Sequence, residues 1–123
     1  MTNKKILVID DDQDILDSIS AVLSSKGYKV ITAIDGNGGV NKFKSEKPDM
    51  VLCDMMMEKV DAGIKAAKVI REENKKVPIY LLSSIGEATS SNVSISEIGF
   101  NGVFQKPVDP DTLISQIKNV LGA

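Results

Sequence analysis

Short, continuous apolar runs alternate along the chain with longer segments in which apolar residues recur every three or four positions. Ile6-Leu7-Val8-Ile9 is the first run, and Ile15, Leu16, Ile19, Val22 and Leu23 follow at helical spacing, with Gly27 as the stop. The same alternation predicts a second strand at Val30-Ile31-Thr32 and a weaker helix around Val40 and Phe43 that Pro48 ends. A third strand from Met50 to Cys53 precedes a helix carrying Ile64, Ala67 and Ile70 on one face and ending near Asn74. Ile79-Tyr80-Leu81-Leu82 reads as the fourth strand. The stretch after it contains Val93, Ile95 and Ile98 but also Ser83, Ser84, Ser90, Ser91, Ser94 and Ser96, so the helix expected there is either mobile or simply exposed and tolerant of serine. A short fifth strand, Gly102 to Gln105, leads into a well-signalled last helix. Asp109 caps it, Pro110 suits its first turn, and Leu113, Ile114, Ile117, Val120 and Leu121 form its buried stripe.

Five strand-helix units of roughly 20 to 25 residues each predict an α/β fold, a doubly wound parallel sheet with helices on both faces and right-handed crossovers. The strands lack the polar alternation of a strand with one wet face, which agrees with burial on both sides. The 123 residues suit one domain, 1–123, and a composition of 42% hydrophobic and 26% charged residues excludes wholesale disorder. A net charge of -2 argues against binding nucleic acid or an anionic membrane through bulk charge. No apolar run approaches a membrane span or a signal-peptide core, so a cytoplasmic location is expected.

The absence of histidine removes imidazole metal ligands, His-based triads and a histidine phosphoacceptor. The single Cys53 sits in the run Met50-Val51-Leu52-Cys53, where cysteine acts as a small hydrophobe, and it makes neither an internal disulfide nor a CxxC site.

In an open parallel sheet, ligands bind beyond the carboxyl ends of the strands, and four of the five ends here are polar. The first strand runs into Asp10, Asp11 and Asp12, the third into Asp54, the fourth into Ser83, and the fifth into Lys106 and Pro107. If the first and third strands are neighbours, Asp10 or Asp11 shares a pocket with Asp54, and like charges that close need a counter-ion: Lys106 or a divalent cation. All-oxygen ligation with open water positions matches Mg²⁺. With the phosphoryl oxygens neutralised, the Asp54 carboxylate can act as a nucleophile and form an acyl phosphate, to which Ser83 donates a hydrogen bond.

These residues resemble the response regulator receiver domains of two-component phosphorelay signalling, and the resemblance covers essentially the whole chain. Its marks are Ile6 to Asp12, Pro48-Asp49-Met50-Val51-Leu52-Cys53-Asp54, Val77 to Ser84, and Phe104-Gln105-Lys106-Pro107. The resemblance implies a flavodoxin-like (βα)5 sheet of strand order 2-1-3-4-5. It implies Asp54 as phosphoacceptor, Asp10, Asp11, Asp54 and the backbone carbonyl of Met56 as Mg²⁺ ligands, Ser83 as the switch hydroxyl, and Lys106 as the cation on the phosphoryl group. A histidine kinase or histidine phosphotransfer protein is the implied donor, docking near Ile15 and the Pro107-Val108 turn. The implied output is a change in partner binding on a face built from the fourth helix, fifth strand and last helix. Catalysis extends only to the domain's own phosphorylation and dephosphorylation, and nothing in the 123 residues reads as a DNA-binding or catalytic output domain.

Departures from the family pattern bear on how such a switch works. Val103 stands where an aromatic is usual, and Phe104, one residue later, is expected on the opposite face of the strand. Glu58 replaces a usual proline and Ala62 a common glycine. Val103 and Glu58 support an alternative, a pseudo-receiver that binds partners without phosphorylation, against which the intact Asp10, Asp11, Asp54, Ser83 and Lys106 count. Met56 and Ile85, two residues after Asp54 and Ser83, offer no hydrogen bond to an attacking water, so slow hydrolysis of the phosphorylated form is expected. Met55, Met56 and Met57 read as adaptable packing beside the pocket, and Gly36-Asn37-Gly38-Gly39 as a turn into the weak helix. Asp12 and Asp14 favour the positive N-terminus of the first helix. A flavin carrier or phosphohydrolase on a similar sheet is disfavoured: three carboxylates follow the first strand, and Met56 stands where the hydrolase needs an acid.

Overall fold

The computed structural model describes residues 4–54, 62–83, 101–105 and 108–122, the side chains of 62–64 and 83 excepted. In chain order the elements are β1 (Lys5–Ile9), α1 (Gln13–Ser25), β2 (Lys29–Ala33), α2 (Gly36–Glu46), β3 (Met50–Asp54), α3 (Ala62–Glu73), β4 (Ile79–Ser83), β5 (Gly102–Gln105) and α4 (Pro110–Leu121). All five strands are parallel, in the order β2-β1-β3-β4-β5. This is the doubly wound, flavodoxin-like sheet expected from the alternation and the resemblance. The helix expected between β4 and β5 falls on residues 84–100, outside the described residues.

Strand alternation divides the core into two layers. Leu7, Ile9, Val51, Cys53, Ile79 and Leu81 meet Phe43 of α2 and Ala67 and Ile70 of α3 on one face. Ile6, Val8, Met50, Leu52, Tyr80, Leu82 and Phe104 meet Leu16, Ile19 and Leu23 of α1 and Leu113, Ile114 and Ile117 of α4 on the other. Both faces are therefore covered, and every residue of β3 is buried, which is why its sequence is an unbroken apolar run up to Asp54.

The helix ends follow from local chemistry. Asp12 caps α1 by accepting from the Asp14 N–H at 2.9 Å, and Asp109 caps α4 by accepting from the Thr112 N–H, also at 2.9 Å. The weak helix α2 is real: Asp35 Oδ1 accepts from the Gly38 N–H at 2.6 Å and starts it. A Cβ on Gly39 would lie 2.4 Å from Ile9 Cδ1, so the missing side chain lets α2 sit directly on β1. The helix ends on Lys47, at a φ of 50°, where the following Pro48 disfavours another helical residue. No helix among the described residues is long and apolar enough to cross a membrane.

Candidate functional site

β1 and β3 are neighbours, paired Ile9 to Cys53 at their carboxyl ends, so Asp10 emerges beside Asp54. By strand alternation both continue the face that packs on α1 and α4. Asp10 is fully buried and Asp54 is 3% exposed, while Asp11 is exposed. One carboxylate oxygen from each of the three lies within 4.8 Å of the others. At an effective dielectric of about 20, two unit charges at such a distance repel by roughly 3 kcal/mol, so the cluster favours a cation.

The loop between β1 and α1 holds this arrangement. The Asp10 N–H donates to the Ala33 carbonyl at 3.1 Å, extending the contact with β2 one residue past the strand. Asp10 Oδ1 accepts from the Asp12 N–H at 2.9 Å, and Asp12 in turn caps α1. Successive aspartates thus have separate tasks: Asp10 braces the loop, Asp11 is the solvent-exposed member of the cluster, and Asp12 starts the helix. The expected place of Asp12 and Asp14 at the helix N-terminus is what the structure has.

Behind the cluster, Cys53 is fully buried in the α2 and α3 layer. Burial, then the nearby Asp54 and Asp10 carboxylates, push its thiol pKa far up, so it stays a neutral thiol and a packing residue. Val103 packs against that same layer, whereas Phe104 is buried on the opposite face, as strand alternation predicts. Ile15 and Val108 are partly buried against the α1 and α4 layer. Ser83 closes β4 opposite Gln105. Its side chain, Met56 and Lys106 lie outside the described residues, as do Met55, Met57, Glu58, Ile85 and Pro107. Three expected site residues, Asp10, Asp11 and Asp54, are therefore brought together.

Two polar features escape a reading by pattern. Asp35 gives no signal beyond an acid before a glycine-rich stretch, yet it nucleates α2. Asn101 and Arg71 are joined by a hydrogen bond across 30 residues of chain, which no local spacing reveals.

A family model described as the response regulator receiver domain matches residues 6–118. The chain is 35% identical over 119 residues to the alkaline phosphatase synthesis transcriptional regulatory protein PhoP of Bacillus subtilis, covering 97% of this chain and 49% of that protein. It is 36% identical over 120 residues to the probable transcriptional regulator ycf27 of Guillardia theta, covering 98% of this chain and 46% of that protein. The chain thus spans about half the length of the curated relatives it matches. Among solved structures, the Vibrio cholerae chemotaxis protein CheY4 superposes with a TM-score of 0.86 at 28% identity, over 97% of this chain and 99% of that one. A CheY-like receiver domain protein from Methanospirillum hungatei gives 0.88 at 26% identity, over 98% and 95%.

Proposed function

The chain belongs to the response regulator receiver domains of two-component systems, and from that premise we propose that it is a phosphoacceptor module whose acceptor is Asp54. The observation that carries this is the convergence of Asp10, Asp11 and Asp54 at the carboxyl ends of β1 and β3. An acidic cluster of oxygen donors alone fits Mg²⁺ and suits neither zinc nor copper. Asp10, Asp11, Asp54 and the Met56 backbone carbonyl would hold the ion, which when bound neutralises the carboxylates and withdraws charge from phosphoryl oxygens.

Asp54 provides the nucleophile. One of its carboxylate oxygens bonds to phosphorus as the N–P bond of a donor phosphohistidine breaks, and the electron pair leaves with the imidazole nitrogen. The Lys106 ammonium and the Ser83 hydroxyl hold the transferred phosphoryl oxygens. The product is an acyl phosphate on Asp54, and the domain turns over no other substrate. The donor is a histidine kinase or a histidine phosphotransfer protein, meeting the domain around Ile15 and Val108, and the phosphorylated form binds its downstream partner differently.

Incubation with acetyl phosphate and Mg²⁺ followed by intact mass tests this. One added phosphoryl group on the parent and none on Asp54→Ala is the expected result. No adduct on a folded parent that binds Mg²⁺ but not beryllofluoride would overturn it and leave an interaction-only domain.

A further inference from the structure

β5 is four residues long and, among the described residues, stands at the edge of the sheet and pairs only with β4. A strand this short has little ladder of its own to set its register, and its amino end is held instead by Asn101. The Asn101 N–H donates to the Ile79 carbonyl at 2.8 Å, and its side-chain Oδ1 accepts from the Ile79 N–H at 2.9 Å. Ile79 is fully buried, so both of its backbone groups need partners inside the protein, and one residue supplies both. The carboxamide oxygen takes the place that a backbone carbonyl has in a regular ladder.

Arg71 of α3 fixes that carboxamide from a second direction. Its Nη2 donates to Asn101 Oδ1 at 3.1 Å and its Nη1 to the Asn74 carbonyl at 3.2 Å. Asn74 Oδ1 accepts from the N–H groups of Lys76 and Val77, shaping the loop that enters β4. One guanidinium therefore ties α3, the approach to β4 and the approach to β5 to one point.

The register so set is the one the side chains need. It places Gly102 opposite Tyr80, where a Cβ would come within 2.8 Å of the ring. A shift by one residue would bring Asn101 or Val103 there and exchange the faces of Val103 and Phe104. The same register sets Gln105 opposite Ser83. The chain then passes directly to Lys106. A one-residue slip moves that exit point by about 3.3 Å along the strand.

We propose that Asn101, held by Arg71, is a positioning residue for Lys106: it locks the short edge strand from its amino end, so that the lysine meets the phosphoryl group on Asp54. This rests on the phosphoacceptor reading above. The test measures, by calorimetry, the affinity for Mg²⁺, which reports on the aspartates, and the affinity for beryllofluoride in saturating Mg²⁺, which also needs Lys106. Asn101→Ala is expected to weaken beryllofluoride binding about tenfold or more, the loss typical of displaced supporting groups, while Mg²⁺ affinity stays within about twofold of the parent. Asn101→Asp, which keeps the acceptor oxygen, is expected to bind nearly as the parent does. In a Lys106→Ala background, Asn101→Ala should add nothing, since both changes remove one interaction.

Equal weakening of both ligands, additivity with Lys106→Ala, or unchanged beryllofluoride binding would each overturn the proposal. If Asn101→Ala does not fold, Arg71→Gln leaves the bonds between Asn101 and Ile79 in place and should show the same split at about threefold, and its absence counts against the proposal equally. A parent chain that binds Mg²⁺ but no beryllofluoride overturns the phosphoacceptor reading, and this inference with it, before any variant is compared.

Discussion

The rings of Tyr80 and Phe104 lie against each other with centroids 5.3 Å apart and planes inclined by 32°, on the face of the sheet opposite Val103. Gln116 of α4 donates to the Tyr80 hydroxyl at 2.9 Å. The aromatic residues of β4 and β5 thus join the edge of the sheet to the last helix, while on the face toward α3 β5 presents the short, β-branched Val103. A tilted aromatic pair adds to area burial, and a phenol that keeps a polar partner meets the needs of a buried tyrosine.

Phe104→Ala should therefore lower stability by about 3 kcal/mol, the loss expected for a large buried ring. Tyr80→Phe, which removes one part-buried hydrogen bond, should cost about 1 kcal/mol. Urea unfolding monitored by circular dichroism measures both. Tyr80→Phe combined with Gln116→Ala should cost less than the two separately, because the changes share one bond.

Asp10 and Asp54 are buried within one carboxylate cluster, so removing a charge relieves repulsion. Asp54→Asn should be more stable than the parent in EDTA by about 1 to 3 kcal/mol. Mg²⁺ should reverse the order. A ligand that binds only the folded parent adds about 2.7 kcal/mol at a hundred times its Kd, and the variant, lacking a ligand oxygen of full charge, gains little. Thermal melts with and without Mg²⁺ test both halves, and a parent less stable in Mg²⁺ than in EDTA would contradict them.

Much of this site is legible in the sequence because β3 is apolar until it meets Asp54 and β1 until it meets Asp10, and a charge at the end of a doubly buried strand stands out. That the two ends are neighbours is not legible in the pattern. It depends on strand order, which the resemblance implied and the pairing of Ile9 with Cys53 establishes. The helix α2 was faint for a physical reason: Val40 and Phe43 are its few large apolar residues, and Gly36, Gly38 and Gly39 lower its propensity. Its support is tertiary, from Gly39 against Ile9, and local, from the Asp35 cap. Asn101 was invisible because its partners Ile79 and Arg71 lie 22 and 30 residues away in the chain.

The cap of α4 carries its own pH signature. The Thr112 hydroxyl and then the Thr112 N–H, both donating to the Asp109 carboxylate, hold its pKa below the ordinary 3.8. A carboxyl whose native pKa is depressed binds fewer protons folded than unfolded near that value, so its contribution is present above 3.8 and lost as pH falls through the native value. Asp109→Asn, which keeps a neutral oxygen on the cap, should melt below the parent at pH 7. The gap should close as the pH is taken below 3.8, and a gap independent of pH would mean that the charge does not matter.

On the proposed role of Asp54, the lifetime of the phosphorylated form depends on which side chains follow Asp54 and Ser83 in the sequence. Hydrolysis of an acyl phosphate needs a water aimed at phosphorus, and a side chain that accepts a hydrogen bond from that water supplies both orientation and some basicity. Met56 and Ile85, each two residues beyond a proposed site residue, do neither. The acyl phosphate on Asp54 should therefore persist for minutes or longer in excess Mg²⁺, measured by the decay of the phosphorylated mass after removal of acetyl phosphate. Met56→Asn introduces a carboxamide able to orient water without adding a charge to the aspartate cluster, and it should shorten the lifetime by about an order of magnitude. The variant's Mg²⁺ affinity should stay near that of the parent, since the proposed ligand at this position is the backbone carbonyl rather than the side chain. Decay of the parent within a few seconds would show that water reaches phosphorus without help from either position.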